Sequence, residues 1–185
     1  MTVEEIFSRL SSHGIRGMMI HEQMANYYDF LGLDGYKQCH DYHYICETLD
    51  HRKLQKFFVS RYNKLIPDSE IDSSSVIPQN WYKYTRQNVD KATKKSAVET
   101  GVNEWVNWER QTRAVIAESY KMLRDLGETI GADFVLEMLK ENEEEVKKAE
   151  KALLELDTAG YDLTYIVDCQ HRLCKKYKKK MEELA

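Results

Sequence analysis

The residues best able to do chemistry lie between Met18 and Phe58, in the stretch MMIHEQMANYYDFLGLDGYKQCHDYHYICETLDHRKLQKFF. Carboxylates and an imidazole fall there at positions where helical periodicity calls for core side chains. Glu22 precedes a turn at Gly32-Leu-Asp-Gly35, and His43, Glu47 and Asp50 follow it. Read as two antiparallel helices, the segment puts Glu22 about ten residues before the turn and Glu47 about twelve after it, so at ~1.5 Å of rise per residue the two carboxylates share one height. A carboxylate on a core stripe must be paired, protonated or bound to a cation, because an unpaired buried charge costs many kcal/mol. Further along, Glu109 sits on an apolar heptad row, and Glu141, Asn142 and Glu145 fall on the inward side of a later helix. Hard oxygen ligands with an imidazole suit iron or manganese. Several carboxylates meeting without a cation would repel one another, which favours a metal over a bare acidic core.

These residues need long elements to bring them together. The 185-residue chain has two prolines, eight glycines, 31% charged residues and a net charge of −4. Few breakers and abundant Glu, Lys and Leu favour long helices. A length of this order suits one domain spanning 1–185 and supports a core without disulfides or structural metals. Thr2 and Glu5 form a capping-box pattern for a short helix from Val3 to about Ser12, stopped at Gly14. A first long helix is expected over 15–31, a second over 36–65 ended by Pro67, and a loop over 68–80. A third helix is expected from Tyr82 or Thr85 to Leu126, where Val102, Glu109, Ile116 and Leu123 recur every seven residues. A fourth is expected over 133–156 after a turn bracketed by Gly127 and Gly131. A last helix follows from about Asp162, burying Leu163, Ile166, Leu173 and Tyr177. The economical packing is all-α: an up-down four-helix bundle with a long crossover between its second and third helices, plus a short N-terminal helix and a C-terminal fifth helix. Counted from their turns, Glu109 lies about eighteen residues back and Glu22 about ten, so the second hairpin is expected to overhang the first by roughly 10 Å.

Glu22-Gln-Met-Ala-Asn-Tyr-Tyr28, the Gly-Tyr turn, the helix carrying Glu47, and the segments VETGVNEW (98–105) and KENEEEVKKAEKALLEL (140–156) resemble the ferritin-like superfamily, ferritins and rubrerythrins included. The resemblance covers most of residues 15–157. It implies a dinuclear iron or manganese centre held by a Glu on the first helix, Glu-x-x-His on the second, a Glu on the third, and a Glu or Glu-x-x-His on the fourth. Mapped here, Glu22 and Glu109 are expected as terminal ligands and Glu47 as a bridge, with His43, Asp50, Glu141 and Glu145 completing the set. The second helix carries Glu47-x-x-Asp50 with His51 just beyond, and the fourth has no histidine. Iron oxidation or storage, or O₂ and peroxide chemistry, is the implied function, in a homo-oligomer of two or more chains. The alternative keeps the bundle without metal, as an oligomerising or partner-binding protein working through Trp81, Tyr82, Tyr84 and the C-terminal helix.

Other features carry blander expectations. Tyr27, Tyr28, Tyr42 and Tyr44 pack the bundle, and Trp105 and Trp108 fill core and interface. Four cysteines without CxxC spacing read as reduced thiols, not a zinc site. Glu143 to Glu145 and Lys178 to Lys180 read as solvated helix faces, and the acidic balance argues against nucleic acid. No run of 18 apolar residues is present, and the acidic start MTVEEIFSRL has no apolar signal segment, so neither membrane insertion nor export is expected and the default location is the cytoplasm.

Overall fold

The computed structural model describes residues 1–184, residues 79 and 80 as backbone only. Five helices make up the architecture: α1 (Val3–Leu31), α2 (Asp34–Tyr62), α3 (Lys91–Asp125), α4 (Thr129–Thr158) and α5 (Leu163–Leu184), with a short 3-10 segment at Gln79–Lys83. They form a four-helix bundle with a fifth helix laid on α2.

The Thr2–Glu5 capping box starts α1 as expected, with both reciprocal bonds in place. The helix then runs unbroken through Gly14 and Gly17, so the separate N-terminal helix does not exist. A glycine inside a helix costs about 1 kcal/mol. Burial of Ile6, Phe7 and Leu10 below these glycines and of Ile20 and Met24 above them offsets that cost. The true stop is Gly32, in the left-handed conformation at φ 70° that a side chain resists. Asn63, also left-handed, ends α2 three residues before the expected Leu65. The third helix begins at Lys91 and not at Tyr82 or Thr85, because Asp90 caps it by accepting from the Thr93 amide at 2.7 Å. Gly131 lies inside α4, where a Cβ would meet the Tyr62 hydroxyl at 2.8 Å, so it serves close packing and not the turn.

Helix directions follow from who meets whom. Tyr27 reaches the Ala97 carbonyl, His13 meets Thr112, and Arg9 pairs with Glu118, so α1 and α3 are antiparallel. Arg61 at the end of α2 pairs with Glu128 at the start of α4, which puts the α3–α4 turn at the opposite end from the α1–α2 turn. The crossover makes this possible by climbing along α1. Ser8 donates to the Pro67 carbonyl, Arg16 to the Ser74 carbonyl, Gln23 accepts from the Val76 amide, and Arg86 pairs with Asp29. The expected overhang of about 10 Å compared two turns as though they shared an end. They do not, so that comparison does not apply.

Two apolar clusters fill the bundle. One gathers Phe7, Leu54, Phe58, Ile116 and Leu123 toward the chain's N-terminus; the other gathers Met24, Tyr28, Val98, Trp105 and Ile166 toward the α1–α2 turn. A buried polar group that includes His21, His43, Glu109 and Asn142 belongs to neither cluster. Helices α1 and α3 approach closely, whereas α2 and α4 stand further apart, and two cavities open between them. Among the described residues no helix is long and apolar enough to cross a membrane.

Candidate metal centre

Three helices each send one metal-ligating side chain to the same interior point. His21 comes from α1, His43 from α2 and Glu109 from α3; all three are buried, and one ligand atom from each lies within 4.8 Å of the others. The His21 Nε2 stands 4.0 Å from Glu109 Oε1, and the His21 and His43 rings stack at 5.3 Å between centroids. His21 and Glu109 each hold their place through further hydrogen bonds. His21 Nδ1 lies 3.0 Å from His40 Nδ1, so one of the two must donate. If His21 donates, its Nε2 keeps a free lone pair toward the centre. Glu109 accepts from the Trp105 indole through one oxygen and from Asn142 through the other, both at 3.0 Å.

What is left unpaired defines the site. His21 Nε2, His43 Nε2 and Glu145 Oε2 are all buried without a hydrogen-bond partner. Each such atom costs about 1–3 kcal/mol when desolvated and unsatisfied. Glu145 stands at the edge, its Oε2 at 3.8 Å from His43 Nδ1 and its other oxygen on Lys148.

Burial keeps the whole group close to neutral. It lowers His21 to about 3 and holds His40 and His43 well below the ordinary histidine value, with like charge from the neighbouring rings adding to the effect for the latter two. Desolvation pushes Glu47 up to about 8, reinforced by the negative charge of Glu109. It pushes Glu109 to about 7, with the Trp105 hydrogen bond opposing. Neutral imidazoles are the metal-binding form, and the carboxyls must lose protons to become ligands.

Of the expected ligands, His43 and Glu109 reach the centre, with Glu145 at its edge. Glu47 packs its carboxylate against Gly17 of α1 and near enough to Glu109 to feel its charge. Glu22 does not join: it is exposed, and His21 takes the inward position. The inward position on this part of α1 lies one residue before Glu22, about 100° of helix turn away. The buried row is Gly17, His21, Met24, Tyr28 and Leu31, a heptad pattern that could have exposed the error. Asp50 and Glu141 also fail to enter, since both turn outward and share Lys53, at 2.7 and 3.7 Å. They line the mouth of a cavity of about 320 Å³ between α2, α3 and α4, whose walls include His43, Glu47, Glu109 and Glu145. All four cysteines are free thiols.

No protein-family model matches the chain, and no curated protein matches its sequence. Its fold does match solved structures. A humanized archaeal ferritin superposes with a TM-score of 0.73 at 18% identity, covering 92% of this chain and 94% of that one. The open-pore ferritin of the hyperthermophilic archaeon Archaeoglobus fulgidus superposes at 0.72, again at 18% identity and 92% coverage of this chain, with 94% of that chain covered. A form of the same ferritin engineered to be closed matches equally well. The chain therefore has the ferritin-like four-helix fold, with α5 as the added helix.

Proposed function

We propose that this chain binds a redox-active divalent metal, iron or manganese, inside its bundle through His21, His43 and Glu109. The observation that carries the reading is the convergence of three buried ligand atoms from three helices, two of whose residues hold unpartnered ring nitrogens. Two imidazoles and one carboxylate with open positions suit Fe(II) or Mn(II). Glu47 and Glu145 flank this set and would supply further carboxylate oxygens, for a second ion if the centre is dinuclear. A metal held there supplies one-electron redox chemistry, in iron oxidation or storage or in O₂ and peroxide chemistry, as the fold likeness suggests.

The chain's own residues do the rest. His40 fixes the orientation of His21, while Trp105 and Asn142 fix Glu109. The cavity lined by Asp50, Glu141 and Glu145 gives a cation an acidic way in between α2 and α4. Binding would release protons from Glu109 and Glu47. Assembly of two or more copies belongs to the same proposal.

One observation favours the metal-free alternative. Glu109 is already satisfied by Trp105 and Asn142 and held near neutrality, so the core tolerates it without a cation. Metal analysis decides between them. After chelation and reloading, wild type should retain at least one Fe or Mn per chain, and His43→Ala and Glu109→Ala should retain none. No retention by wild type, or equal retention by the variants, would leave a scaffold; selective uptake of zinc would remove the redox role.

A further inference from the structure

The second cavity in the α2–α4 seam is a different kind of space from the acidic one. It encloses about 340 Å³ between α4 and α5, and its walls are chiefly apolar: Tyr28, Trp105, Leu156, Leu173 and Tyr177. Its rim is basic, with Lys148, Lys151, Arg172 and Lys176 against a single acid, Glu155. Three of those cations already have acidic partners: Lys148 with Glu145, Lys151 with Glu155 and Arg172 with Asp168. Lys176 has none among the described residues; its ammonium lies over the Tyr177 ring at 4.9 Å. Tyr36, 8% exposed, also lines the cavity, and its buried hydroxyl has no hydrogen-bond partner. The Cys169 thiol lies beside that hydroxyl.

An apolar hollow of this size is in the range that holds small molecules. A free ammonium at its rim calls for an anion, and the unsatisfied hydroxyl in its wall for a hydrogen-bond acceptor. We infer that this cavity is a binding site for a small apolar molecule carrying one carboxylate, such as a medium-chain fatty or aromatic acid. Lys176 holds the carboxylate at the mouth, Tyr36 offers it a hydrogen bond, and the apolar body lies against Trp105 and Leu173. The floor of the cavity includes His40, whose Nδ1 is engaged with His21. A ligand seated there would therefore be one imidazole away from the candidate metal centre. The inference itself does not depend on that centre, since the cavity exists without an ion.

The test is calorimetric titration of the full chain, stripped of metal, with decanoate, 1-naphthoate and, as an uncharged control, decanol. Saturable binding of at least one acid at one per chain is expected, with decanol at least tenfold weaker. Lys176→Glu, on an exposed residue that folding does not need, should weaken the acid at least tenfold and leave decanol unchanged. Ala152→Trp, which fills the cavity, should abolish both. Failure of both acids to saturate, or acid binding indifferent to Lys176→Glu and Ala152→Trp, overturns the inference. Decanol binding as tightly as decanoate overturns its anionic part. Repeating the titration on protein loaded with Mn(II) separates this result from the metal reading, because cavity binding should persist when metal fails to load.

Discussion

Gly17 and Glu47 face each other across the α1–α2 interface so closely that a Cβ at position 17 would lie 2.9 Å from the Glu47 carboxyl carbon. The missing side chain is what lets this carboxylate sit inside the bundle near Glu109. Gly17→Ala should therefore separate stability from chemistry. Alanine gains up to about 1 kcal/mol in a helix interior, and the displaced group is the mobile end of a side chain. Thermal unfolding should show an unchanged or raised Tm, while metal titration should show at least severalfold weaker binding or loss of a second ion. An unchanged metal isotherm would remove Glu47 from the centre.

Glu109→Gln keeps the shape of the side chain and removes its charge. Asn142 can turn its amide so that Oδ1, now without a partner, accepts from the new NH₂ group, and the Trp105 bond survives. The folded-state pKa of Glu109, about 7, lies above its unfolded value of 4.5, so its contribution to stability is lost as pH rises from about 4.5 to 7. Without metal, denaturant unfolding at pH 8 should find the variant more stable than wild type by on the order of 2 kcal/mol, with the difference shrinking as pH falls and vanishing below about pH 4. The same variant should lose metal. Destabilisation at pH 8 would mean the carboxylate is doing structural work as an anion.

The pH profile of the metal-free protein should have a maximum. Burial lowers His13 to about 4 and His21 to about 3, and holds His40 and His43 well down, so below pH 6.5 the unfolded chain binds more protons at these sites. Their contribution rises with pH up to 6.5. Glu47 and Glu109, raised to about 8 and 7, bind more protons in the fold, and their contribution falls with pH from about 4.5 to 8. Four histidines outweigh two carboxyls below pH 6.5, and only the carboxyls act above it. Tm followed from pH 4 to 9 should therefore peak near 6.5 and decline toward 8. Added Mn(II) should erase the alkaline decline, since metal holds the carboxylates ionised. A flat metal-free profile would contradict the burial of these groups as neutral species.

The lower apolar cluster should be separable from the centre. Phe58 is fully buried beside Phe7 and Tyr62, with ring centroids at 5.1 and 4.8 Å. Phe58→Ala should cost about 3–5 kcal/mol in denaturant unfolding, yet the folded variant should keep its metal stoichiometry. Loss of metal from folded Phe58→Ala would show that the two layers are coupled.

The sequence made the helices legible because breakers and heptads punctuate it: Gly32, Pro67, Gly127 and Gly160 sit at or near true ends, and the Val102–Leu123 row is buried or faces inward as its period requires. Rotation was less legible. One residue of error on α1 put Glu22 in place of His21, because His21 and Glu22 are both polar intruders in an apolar stretch and only the small Gly17 marks the true inner row. Asp50 and Glu141 misled for another reason: a cavity mouth and a core stripe share one helical face, and depth along it comes only from packing with α3. End-for-end arrangement was legible only as the expected long crossover, and the height comparison of Glu22 with Glu109 overlooked it; nothing local in 63–90 says that this segment climbs along α1.

The central claim is that one cation belongs between His21, His43 and Glu109. Anomalous diffraction at the absorption edge of Mn or Fe, on crystals of the loaded protein, tests it most directly. The account predicts a peak within bonding distance of one nitrogen of each histidine and one Glu109 oxygen. A map without a peak there, or with its only peaks at Asp50 and Glu141 near the surface, would contradict it.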